Sequence, residues 1–140
     1  MVNHTEITAE IIIHATEDKK KIFEPMYEVF EIKEEEFMQE RLEGHFGNPI
    51  LMISIKLGKK RAEEFIKKLV SKISKSQLNE FVENIETYFE GSSLFIRISK
   101  KDLIRKSISL QQNDALKIKI STPVYKKSEL VKTYLELLAQ

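Results

Sequence analysis

A chain of 140 residues, 41% hydrophobic and 32% charged, has the size and mix of one globular domain with a real core. Its formal net charge is only +1, and its lack of cysteine excludes disulfides, thiolate metal sites and cysteine nucleophiles. No apolar run approaches the ~20 residues that span a bilayer, and the N-terminus lacks a signal-peptide pattern, so a cytoplasmic protein is expected.

The near-neutral total conceals an uneven distribution. Residues 1–50 hold five lysines and arginines against twelve carboxylates, while residues 51–140 hold eighteen against ten. Such a split focuses a positive field on one face unless folding intermixes the halves.

In chain order, residues 5–14 alternate Ile7, Ala9, Ile11 and Ile13 against Thr8, Glu10, Ile12 and His14. That period of two predicts a strand with one buried face. Thr16 is placed to cap the helix that follows, with Glu17 and Asp18 at its N-terminus. Ile22, Phe23, Met26, Tyr27, Val29 and Phe30 carry the helical spacing, and Pro25 is expected to kink or break it. Glu34–Glu36 reads as a solvated connection, Phe37–Leu42 as a weak strand, and Ile50–Leu57 as a strand covered on both faces. Gly58 ends that strand. Ala62, Phe65, Ile66, Leu69, Val70 and Ile73 then match the helical template without a miss.

Ser74 or Ser76 caps a third helix running to Phe89, and Leu94–Ile98 forms a strand after the turn at Gly91. Lys100–Lys106 reads as one or two basic helical turns. Ser107–Leu110 and Ala115–Ile120 are expected to pair around Gln112-Asn113-Asp114, and Ser128 to cap a last helix through Leu138. Strands and helices in this order lack regular βαβ alternation. They predict a single α+β domain over residues 1–140, with helices packed on one face of a mostly antiparallel or mixed sheet.

The stretch Gly44-His45-Phe46-Gly47-Asn48-Pro49-Ile50 gathers two of the four glycines and one of the three prolines. Glycine reaches φ > 0 without steric cost, and a residue before proline is driven out of the α region. Gly44, Gly47, Asn48 and Pro49 therefore read as the frame of a fixed corner before an apolar strand.

Three stretches together resemble one archaeal family. They are His14-Ala15-Thr16-Glu17-Asp18, the Gly44–Ile50 loop, and Arg97-Ile98-Ser99-Lys100. The family is the archaeal proteins named as predicted RNA-binding subunits of the exosome. The chain departs from its usual pattern after Lys100, where Lys101-Asp102-Leu103-Ile104-Arg105-Lys106 replaces small residues and a glycine. The resemblance implies a ribosomal-protein-L-five-like α+β fold, RNA as a partner, and exosome subunits as further partners.

Candidate chemistry is sparse. His14, His45, Glu17 and Asp18 lack the spacing and the ligand count of a zinc site, so no metal or other cofactor is expected. There is no phosphate loop, no H-E-x-x-H and no nucleophile elbow, and His45 beside a carboxylate is only an incomplete acid–base pair, so no enzyme is expected. Basic residues are better placed. Arg97, Lys100, Lys101, Arg105 and Lys106 crowd a strand end, and Lys59, Lys60 and Arg61 open a helix; such groups neutralise phosphates and release counterions. His45 and Phe46 are placed either to stack on an unpaired base or, for Phe46, to fold back into the core. The rival reading is a protein-interaction module or homodimer with no RNA affinity, built on the sheet or on the broad apolar face of Leu130–Leu138.

Overall fold

The computed structural model describes residues 4–44 and 47–139. Its strands are β1 (Glu6–His14), β2 (Met38–Glu43), β3 (Pro49–Gly58), β4 (Phe89–Glu90), β5 (Ser93–Ser99) and β6 (Ala115–Ser121). They form one antiparallel sheet in the order β2-β3-β1-β6-β5-β4. The helices are α1 (Lys20–Phe30), α2 (Lys59–Lys72), α3 (Lys75–Glu83), α4 (Lys100–Ile104) and α5 (Leu130–Leu138). This is the α+β architecture that the order of elements predicts.

Alternation decides the two faces. Ile7, Ala9, Ile11 and Ile13 of β1 are buried, in register with Leu57, Ile55, Ile53 and Leu51 of β3. Leu116, Ile118 and Ile120 extend the same face through β6 to Ile98, Ile96 and Leu94 of β5. Ala62, Phe65, Ile66 and Leu69 of α2 bury against this layer, and Phe30 of α1 stacks on Phe65 with centroids 4.4 Å apart. Tyr134 of α5 is fully buried; its hydroxyl donates to the Ser92 carbonyl at 2.7 Å and accepts from the Thr122 amide at 3.1 Å. A polar tip at that depth needs such partners.

Several local expectations are corrected. Thr16 lies four residues before α1, whose N-cap position is Lys19 with no side-chain cap; Asp18 Oδ1 accepts from the Lys20 amide at 3.0 Å instead. Pro25 is buried inside an unbroken α1, so the helix continues past the missing donor. The third helix, capped by Ser74 through the Gln77 amide, ends at Glu83; Phe89 instead begins the short edge strand β4. Glu129 rather than Ser128 precedes α5. The stretch from Ser107 to Leu110 does not pair with β6. It bridges β5 at Ile98 and Leu110, because β6 is already held between β1 and β5. Nor is β3 covered on both faces: Lys56 and Met52 lie opposite Thr8 and Ile12 on the side that no helix covers.

The Gly44–Ile50 corner is tight where described. The Gly44 amide donates to the Asn48 carbonyl at 2.6 Å, and the Gly47 amide donates to the Gly44 carbonyl at 3.2 Å. Gly47 has φ +74°, and a Cβ on Gly44 would lie 2.9 Å from the Asn48 oxygen. Gly47→Val is expected to lower stability by more than about 1 kcal/mol, because an L side chain is strained in the left-handed region. Thermal unfolding checks this, and an unchanged midpoint would count against the corner as a structural device.

Candidate nucleic-acid interface

The three resembling stretches converge at one end of the sheet. His14 ends β1 opposite Ile50, the loop before Pro49 closes the β2–β3 hairpin, and Ser99 ends β5 opposite Ala115. Lys100 then turns inward rather than outward. It is 3% exposed, and its ammonium donates to the Ile12 carbonyl and to Glu17 Oε1, both at 2.9 Å, with Asp114 Oδ1 at 3.3 Å. Its expected place among the surface cations is therefore corrected: a lysine with all its donors met inside the fold offers no charge to a polyanion.

Glu17 is the other half of that lock. Burial alone would raise its pKa, but hydrogen bonds from the His14 amide and the Lys100 ammonium outweigh this and hold the carboxyl below the usual range. Beside it, the Ser99 hydroxyl accepts from the Asp102 amide, and Ser109 donates to the Asp102 carboxylate.

On the sheet face away from the main core, Phe95 is buried beneath two cations. The Lys117 ammonium is 4.9 Å and the Arg97 guanidinium 5.7 Å from its ring centroid. Lys117 is opposite Arg97 on β5 and Glu10 on β1, and Lys119 is opposite Phe95. A shallow groove of about 450 Å³ continues from Arg97 and Lys117 past Ile12 and Met52 to His14. Lys117 and Lys119 were not singled out in the sequence, although Leu116-Lys117-Ile118-Lys119-Ile120 carries the signal. Strict alternation puts both lysines on the face opposite the buried one.

Other expected cations are scattered. Lys101 of α4 and Arg105 just after it are exposed past the end of β5, and Lys106 is paired with Glu28 at 2.6 Å. Lys59, Lys60 and Arg61 start α2 directly after Gly58, at the far end of the sheet, and Arg61 holds Glu36 at 2.5 Å. A ten-residue strand separates the two ends by roughly 30 Å. His45 and Phe46 lie outside the described residues. Among the described residues, no group of three or more histidines and carboxylates is placed to hold a metal, and no helix is long and apolar enough to cross a membrane.

The fold and this face define a one-sided α+β sheet protein whose open side carries cations over an aromatic ring. The chain belongs to the family described as RNA binding, whose profile matches residues 6–122. It is 30% identical to the RNA-binding protein PAB1135 of Pyrococcus abyssi, over 94% of this chain and 92% of that one. In fold it is similar to crystal structures of protein AF2318 from Archaeglobus fulgidus (24% identity, TM-score 0.83, covering 96% of this chain and 99% of that one) and of protein SSO0741 from Sulfolobus solfataricus (25%, 0.75, 96% and 97%).

The Lys100–Glu17 lock has a testable acid response. Glu17 has its folded-state pKa below the ordinary value of 4.5, so its stabilising contribution is complete above that pH and is lost as pH falls through the folded value. Glu17→Gln should cost about 2 kcal/mol near pH 7 and flatten the acid limb of stability below pH 4.5, read by urea unfolding across pH. An acid limb identical to that of the unsubstituted protein would remove Glu17 from this role.

Proposed function

We propose that this protein binds RNA without catalysing a reaction on it, as an accessory factor in exosome-linked RNA processing or degradation. What carries the reading is the pair Arg97 and Lys117 over Phe95 on the sheet face away from the main core, in a chain of an RNA-binding family. Phosphates would meet Arg97, Lys117 and Lys119, then Lys101 and Arg105 beyond the end of β5. His45 and Phe46 would stack on an unpaired base from the loop at the same end. Lys59, Lys60 and Arg61 would engage a strand long enough to run the length of the sheet. The name of the Pyrococcus relative supports the RNA partner, and the resemblance of the three signature stretches supports the exosome link.

A second reading rests on a separate observation. Ile12 is 40% exposed, Met38 74% and Leu42 36%, all on the open face near the edge strand β2. This patch supports a protein-interaction surface or a homodimer with no RNA affinity of its own.

Fluorescence anisotropy with structured and single-stranded RNA separates the two. RNA binding predicts micromolar affinity that falls as salt rises, and Arg97→Ala with Lys117→Ala should weaken it roughly tenfold across sequences and shallow the salt slope by about 2. No binding at ~50 mM salt, alone and with exosome core, together with a dimer mass in solution that Met38→Lys abolishes, would favour the assembly reading.

A further inference from the structure

A second hollow lies on the helix side of the sheet, at the end where the signature stretches meet. Gln39 and Arg41 of β2 are in register with Ile53 and Leu51, so they point toward the helix layer, yet both are exposed. Between them and the β1–α1 corner is a groove of about 440 Å³, with Lys19 and Glu17 on one side and Pro49 and Leu51 on the other. That volume holds a nucleotide rather than a lone ion.

The cations of this groove are not consumed by the protein. Lys56, Arg61, Lys68 and Lys106 each have a carboxylate partner between 2.5 and 3.5 Å. The Arg41 guanidinium, by contrast, has no hydrogen bond or ion pair among the described residues. Among the described residues, Lys19 donates only to the neutral Gln39 amide oxygen, at 3.2 Å. The groove's carboxylate, Glu17, gives Oε1 to Lys100 and to the His14 amide, so its charge is already compensated. A hollow with two uncompensated permanent cations and an apolar wall suits a ligand that is dianionic at one end and flat or apolar at the other.

We propose that this groove binds a phosphomonoester carried on a nucleoside, with the phosphate between Lys19 and Arg41 and the sugar or base against Pro49 and Leu51. The phosphate is either the terminal phosphate of an RNA strand or that of a free nucleoside monophosphate. Only the first source rests on the RNA-binding reading. The site is distinct from the open face, where the cations form a row suited to successive phosphodiesters.

The test uses one short RNA with a 5′-phosphate, a 3′-phosphate or hydroxyl ends, and adenosine monophosphate in a parallel calorimetric titration. A phosphorylated end should bind about tenfold more tightly than hydroxyl ends. Arg41→Ala and Lys19→Ala, both at exposed positions, should erase that preference while leaving binding of the hydroxyl form intact. Arg97→Ala with Lys117→Ala should weaken every RNA form alike. Binding of the monophosphate that Arg41→Ala abolishes, without preference among RNA ends, supports the groove with a free nucleotide as its source. Equal affinity for all ends with no monophosphate binding overturns the groove and leaves the RNA reading standing. A preference that survives both groove substitutions also overturns it. Loss of all RNA binding with monophosphate binding retained sinks the RNA reading alone.

Discussion

A lysine ammonium withdrawn from water must be met by acceptors on every side, and Lys100 is met by three that come from distant parts of the chain. The Ile12 carbonyl belongs to β1, Glu17 to the corner before α1, and Asp114 to the turn before β6. Taking such a charge out of water costs several kcal/mol unless the geometry is good, so displacing any of the three acceptors is penalised through the other two. The lock fixes the β1–α1 corner relative to α4 and to β6. It thereby fixes one wall of the groove beside Arg41 and the end of the open face beside Arg97. Both proposed ligand surfaces share that anchor without touching its charge.

The charge split along the sequence also survives folding in part. Strands β2, β3 and β1 come from residues before 59, and β6, β5 and β4 from residues after 88, and the two groups occupy opposite halves of the sheet. On the open face the first half presents Glu6 paired with Lys56, Glu10, Glu40 and the apolar patch, and the second half presents Arg97, Lys117 and Lys119. An anion approaching this face therefore meets attraction on one half and weak repulsion on the other, which gives it a preferred track.

Where the sequence pattern is a period, it could be read directly. The alternation in β1 and the helical stripe of α2 specify their buried faces almost residue by residue, because each period follows from backbone geometry. Pairing partners were less legible. Ser107–Leu110 has strand-like residues, but only the three-dimensional order of strands shows that β5 is its neighbour. The role of Lys100 was hidden for a different reason: in sequence it sits in a run of cations, and nothing local marks it as the one that turns inward. Lys117 and Lys119 had a usable signal, since a strand with one buried face must present its alternate residues to the other side. Arg41 became notable only when its edge strand lost a helix cover that sequence periodicity does not report.

The place of β1 in the middle of the sheet has a consequence for how the protein is made. Its two neighbours are β3, ending at Gly58, and β6, which pairs Ser121 with Glu6. A growing chain completes the β1–β3 pair early and then waits for β6, an interval on the order of several seconds at about 5–20 residues per second. Until then the inner edge of an isoleucine-rich strand stands open, with unpaired backbone groups that any other strand could meet. The last closure is also a pairing between the two ends of the chain, the kind of contact that forms slowly. The open edge of β1 is therefore exposed for as long as β6 is unmade.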